Sequence, residues 1–147
     1  MGLASDRVPR DAGLVSEFQR KIVSTREAPA AVGNYNQAIV ASGSRTLFAS
    51  GQIGLVPGQP EVWVSGDVAA QTEQVLANLQ AVLAAADMSF ANVVRATIYL
   101  ADIGDFNVVD RIYGAKFQTG LHPARATIQA AALPKGALVE IDVIAVA

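Results

Sequence analysis

Cysteine is absent from the 147 residues and histidine occurs once. Without thiols the chain has no disulfide framework, no thiolate metal site and no cysteine nucleophile. The single imidazole, His122, cannot build a metal cluster; it precedes Pro123 in a loop, where a structural or surface role is expected. Charge is scarce as well, at 16% of residues against 52% hydrophobic. That balance is unlike disorder and leaves few charges to cover the surface of a monomer, which points to a buried subunit interface. The net charge is −2 and the isoelectric point near 5.3. The basic residues are scattered, with Arg7, Arg10, Arg20 and Lys21 in the first segment, so no face masses the cations that hold nucleic acid, and no nucleic-acid partner is expected.

Long apolar runs are missing too. The opening "MGLASDRVPRDAGLVSEFQRKI" breaks each short apolar run with a charge, unlike the apolar region of a signal peptide, and nothing later is long enough to span a bilayer. A soluble, cytoplasmic protein without a membrane partner is the expectation. No G-x-S-x-G elbow occurs, and "SGSRTLFASGQIG" fits neither dinucleotide nor P-loop spacing, so no nucleotide cofactor is expected.

The length suits one domain, placed at residues 24–147, with 1–23 as a polar appendage holding a short helix around "DAGLVSEFQRKI" or partly disordered. Strands are predicted at Gln37–Ala41 and Thr46–Gly51, joined by a turn at "SGSR". "LVPGQPEVWVSG" reads as a loop because of its Pro and Gly residues, with Trp63 packing over an edge or interface. "DVAAQTEQVLANLQAVLAAADM" is an amphipathic helix with Asp67 as its cap and Val68, Val75, Leu76, Leu79, Val82 and Leu83 on one face. "NVVRATIYLAD" alternates as a half-buried strand. "DFNVVDRIYGAKFQTG" is a second helix, capped by Asp105, aligning Phe106, Val109, Tyr113 and Phe117 and ending at Gly120. "ARATIQAAAL" and "ALVEIDVIAVA" close the chain as two more strands. The order predicts an α+β fold: a mainly antiparallel sheet with both helices on one face and a small, polar second face left for another subunit.

Two features invite a chemical reading. Glu140 and Asp142 share one strand face, about 6.5–7 Å apart by strand rise; they project side by side rather than flanking a bond, which favours a plain polar face over a glycosidase pair. Arg125 sits in an apolar strand. An arginine there is usually exposed with its stem over apolar neighbours. Here Pro123 fixes the approach and Ala124 and Ala126 are read as leaving space around the guanidinium, whose planar fork suits a small carboxylate.

"APAAVGNYNQAIVASG", "LFASGQIG", the first helix, "VVRATIYLADIGDF" and "HPARATIQAAALPKGALVEIDVIAVA" together resemble the RidA/YjgF family of reactive intermediate deaminases, from about Arg26 to the C-terminus. The resemblance implies a chorismate-mutase-like fold and a homotrimer with clefts between neighbouring subunits. It also implies hydrolysis of enamine and imine intermediates, such as 2-aminoacrylate and 2-iminopropanoate, to a 2-keto acid and ammonia, with no metal or organic cofactor. By the same resemblance Arg125 is the carboxylate-binding arginine, Glu140 the acid that orients or deprotonates the attacking water, Tyr35 the pocket tyrosine, and Ser50 with Gly51 the pocket edge.

Four positions depart from the family pattern. Thr127 stands where cysteine is frequent, Asn34 replaces the proline of G-P-Y, Gln129 stands where an acid is common, and Asp110 replaces an asparagine near the substrate. An ionised Asp110 close to the site would repel a carboxylate. Two further readings therefore stay open: a trimeric protein that binds a keto acid or similar metabolite without turnover, and the endoribonuclease or translation-inhibitor activity attached to family names.

Overall fold

Apolar side chains at helical spacing and apolar side chains at alternate strand positions meet at one interface. The computed structural model describes residues 17–64 and 66–147, without the side chains of residues 60 and 61. Its strands are β1 (Gln19–Val23), β2 (Ala38–Ser42), β3 (Thr46–Gln52), β4 (Leu55–Val56), β5 (Gln59–Trp63), β6 (Val93–Leu100), β7 (Ala124–Gln129) and β8 (Val139–Val146); its helices are α1 (Val68–Ala85) and α2 (Phe106–Gly114). The central sheet has the order β3-β8-β6-β7. Its pairs are antiparallel except β6 with β7, which run parallel because α2 carries the chain back between them.

The α+β expectation holds, with two helices against a mixed, mainly antiparallel sheet. Val75, Leu76, Leu79 and Leu83 of α1 and Val109, Ile112 and Tyr113 of α2 are buried against Ala96, Ile98 and Leu100 of β6 and Val139, Ile141 and Val143 of β8. Each large apolar side chain removed from water in this layer contributes about 1.5–3 kcal/mol. Asp67 caps α1 as expected, accepting from the Ala70 N–H at 2.7 Å.

Several local expectations are corrected. The strands around "SGSR" do not form a hairpin: β2 pairs with β1, and β3 pairs with β8. Most of the expected N-terminal helix falls outside the described residues, but Gln19–Val23 is strand rather than helix or irregular chain. Arg20 ties that strand to the domain by donating to the carbonyls of Leu121, at 2.7 Å, and Val93. The segment read as a loop folds into the β4–β5 hairpin, because Pro57-Gly58 makes its turn, with Gly58 at φ 74°, instead of blocking pairing. The second helix stops at Gly114, not Gly120, and Asp105 makes no capping bond; Asp102 instead accepts from Gly104 N–H at 2.8 Å, one turn earlier.

Candidate active site

Arg125 reaches the helix side of the sheet. Its β7 position pairs with buried Ala96 of β6, and side chains of paired residues share a face. The side chain is 2% exposed. Three rings enclose the guanidinium, whose carbon lies 5.4 Å from the centroid of Tyr35, 5.5 Å from Phe106 and 5.2 Å from Tyr113. One arm donates to the carboxylate of Asp110, which is 17% exposed. The other arm points toward Gly33, where an added Cβ would lie 3.4 Å from Nη2. Phe106, Asp110 and Tyr113 follow one another at four- and three-residue intervals along α2, so a single helical face supplies three of the contacts.

The loop before β2 completes this half of the site. Asn36 donates to the carbonyls of Gly120 at 3.1 Å and His122 at 2.6 Å, and Gln37 donates to Pro29 at 2.6 Å, which sets the path of the chain around Tyr35. Asn34 Nδ2 donates to the Asp110 carboxylate at 2.8 Å and to the Asp110 carbonyl at 3.0 Å. Tyr113 Oη and Thr127 Oγ1 are buried and without a hydrogen-bond partner among the described residues. Burial pushes the Tyr113 phenol above its ordinary pKa; the Asp110 charge acts in the same direction and Arg125 opposes it. His122 has the structural role expected of it, its Nε2 3.3 Å from the Gly114 carbonyl and its ring against Phe117.

Glu140 belongs to the other face. It pairs with Tyr99 of β6, while its neighbours Val139 and Ile141 are buried beneath the helices. Its carboxylate lies on the backbone of Gly51, so close that an added Cβ would sit 2.1 Å from Oε1. The β3–β8 register shifts between Ala49 and Gln52, which places Ser50 and Gly51 in the irregularity beside Glu140. Asp142, two residues on, accepts from Tyr99 Oη at 3.0 Å. That hydrogen bond is the main cause that raises the Tyr99 pKa.

Arg125 and Glu140 are therefore not on adjacent strands and do not face one hollow within a protomer. β6 separates β7 from β8, about 10 Å of lateral spacing, and the two side chains leave opposite faces. The structure gathers Arg125, Tyr35, Asp110 and Thr127 on one side and Ser50, Gly51 and Glu140 on the other. Ala124 and Ala126 also point away from the guanidinium, so they leave no space around it; its surroundings are Gly33 and the aromatic walls.

Two half-sites of this composition sit on a fold shared with known proteins. A family model described as Endoribonuclease L-PSP matches residues 25–147. The chain belongs to the RidA/YjgF family. It is 49% identical over 132 residues to the 2-iminobutanoate/2-iminopropanoate deaminase of Rattus norvegicus, covering 90% of this chain and 93% of the relative. It is 52% identical over 127 residues to protein DfrA of Myxococcus xanthus, covering 86% and 95%. Among solved structures, RidA from a Psychrobacter species aligns with a TM-score of 0.64 at 40% identity, covering 86% of this chain and 99% of that one.

Within this RidA/YjgF chain, the contacts that sequence reasoning missed are those of Phe106 and Tyr113, placed only on the aligned face of the second helix, and of Asn34, noted only as replacing the proline of G-P-Y. The signal was present in the four- and three-residue spacing of Phe106, Asp110 and Tyr113. Only the packing of α2 over β7 turns that spacing toward Arg125.

Proposed function

We propose that this protein hydrolyses 2-imino acids of the 2-iminobutanoate and 2-iminopropanoate kind to 2-keto acid and ammonia, in the cytoplasm, as a homotrimer with a chorismate-mutase-like fold. The observation that carries the reading is a guanidinium almost wholly withdrawn from water, walled by three rings, with the edge of its second arm facing the bare backbone of Gly33. A small carboxylate suits that edge. In one protomer Glu140 cannot reach a ligand held there, so the cleft is assigned to a contact between protomers, with Arg125 from one and Glu140, Ser50 and Gly51 from the next. The outer sheet face supports such a contact: Phe48 is 76% exposed and Ile128 48% exposed.

The chemistry asks little of the protein. The imine carbon is already electrophilic beside its carboxylate. Glu140 takes a proton from water as the oxygen adds to that carbon and returns it to nitrogen, giving a carbinolamine; the carbinolamine hydroxyl proton then passes to nitrogen as the C–N bond breaks, which releases ammonia and leaves the keto group. Arg125 holds the carboxylate throughout. The test is ammonia release from imine generated in place by an amino-acid oxidase. Saturable acceleration, abolished by Arg125→Ala and by Glu140→Gln, is the expected result; binding of a keto acid without acceleration selects the second reading, a non-catalytic metabolite-binding trimer. The observation that favours this second reading is that Arg125 and Glu140 leave opposite faces of the sheet, so no single protomer holds both the anchor and the acid. An endoribonuclease activity draws little support from a chain of net charge −2 whose Arg125 is buried and paired.

A further inference from the structure

The pair that Arg125 makes inside its own pocket bears on which ligands the pocket accepts. A guanidinium offers five N–H donors in a rigid plane. One arm is engaged by the Asp110 carboxylate, whose second oxygen accepts from Asn34 at 2.8 Å. Asn34 is itself seated in a niche that exists because residue 114 is glycine: a Cβ there would lie 2.4 Å from its Nδ2 and 2.5 Å from its Cγ. Both carboxylate oxygens are thus held, and Asp110 cannot swing aside without leaving a buried guanidinium arm and the Asn34 amide unpaired. A ligand carboxylate must use the remaining edge of the same fork, beside a fixed negative charge.

We propose that Asp110, braced by Asn34 and Gly114, is a specificity-determining residue that disfavours ligands whose only charge is a single carboxylate, the 2-keto acid product among them. The inference rests on the reading of Arg125 as the anion site. With Asp110 in place the pocket carries one positive and one negative charge, so Arg125 holds a lone carboxylate more weakly than an unpaired guanidinium would. A like charge within about 4–6 Å weakens a carboxylate's hold by about tenfold or more. A ligand without charge at that position escapes the penalty. The keto acid therefore leaves easily after turnover.

The experiment measures, by calorimetry on the full chain, the affinity for 2-ketobutanoate and for its neutral analogue 2-oxobutanamide, in wild type and Asp110→Asn. The expected result is that Asp110→Asn tightens the keto acid by about tenfold or more while the amide shifts by less than about threefold. A keto-acid affinity that stays the same or weakens overturns the inference, and so does equal tightening of both ligands, which would mark a steric effect. If neither protein binds 2-ketobutanoate, the anion-site reading of Arg125 fails along with it. Asn34→Ala, which removes the brace but leaves the ion pair, is expected to move the keto acid in the same direction by a smaller factor. Should Asp110→Asn not fold, this second variant decides, and an unchanged ratio of acid to amide affinity overturns the proposal.

Discussion

Replacing Gly51 with alanine places a methyl group where the Glu140 carboxylate lies. The new Cβ would sit 2.1 Å from Oε1, 2.8 Å from Cδ and 3.0 Å from Cγ of Glu140, whereas ordinary contact begins at 3.4 Å. The carboxylate oxygen must therefore retreat by about 1.3 Å, the gap between the first and last of those distances. Fold stability changes little. Gly51 is not in the left-handed region, so alanine restricts the unfolded chain and contributes about 0.4–1 kcal/mol, while an off-rotamer glutamate costs about 0.5–1.5 kcal/mol. Catalysis is less forgiving, since a misplacement of about 1 Å costs on the order of 100-fold. The assay is kcat/KM for ammonia release in the oxidase-coupled system, with the urea unfolding midpoint measured alongside. The expected outcome is a loss of about 100-fold in kcat/KM at a nearly unchanged midpoint, and no added loss when Gly51→Ala is combined with Glu140→Gln. A Gly51→Ala protein with wild-type kcat/KM would refute the placement of the water-activating acid on the Gly51 backbone.

Two further outcomes follow from the Arg125 half of the site. Tyr113 has a folded-state pKa raised above its unfolded value, so its contribution to stability is whole below pH of about 10 and is lost as pH rises through the folded-state value. Tyr113→Phe should therefore show a shallower fall in urea midpoint between about pH 10 and 12, and should cost little at neutral pH because the lost hydroxyl has no partner among the described residues; an alkaline slope equal to that of wild type would contradict this. Gly114→Ala should displace the Asn34 amide and lower stability by about 1–3 kcal/mol, read as a lower urea midpoint, because two hydrogen bonds to Asp110 are lost. An unchanged midpoint would mean that Asn34 finds equivalent partners elsewhere.

Local pattern was legible where one element decides its own structure. The spacing of Val75, Leu76, Leu79 and Leu83 requires a helix with a single apolar face, and Asp67 supplies its cap without help from the rest of the fold. The alternation of β6 and β8 likewise separates Ile98 and Ile141 from Tyr99 and Glu140. Pairing was not legible. "SGSR" has the composition of a hairpin turn, yet its flanking strands join different partners, and Pro57-Gly58 makes a turn in a segment that looked unfit for pairing.

Residue order alone determined that this chain is α+β and that Arg125 and Glu140 are exceptional in apolar strands. Tertiary structure decided what those residues do to one another. Alternation tells which residues of one strand share a face, but strand order and the parallel or antiparallel sense of each pair set which faces of different strands coincide. That is why Arg125 and Glu140, each in an apolar strand and assigned to one reaction, emerge on opposite sides of the sheet. It is also why Asn34 and Asp110, 76 positions apart, meet as hydrogen-bond partners, with Asp110 in turn held on the Arg125 guanidinium.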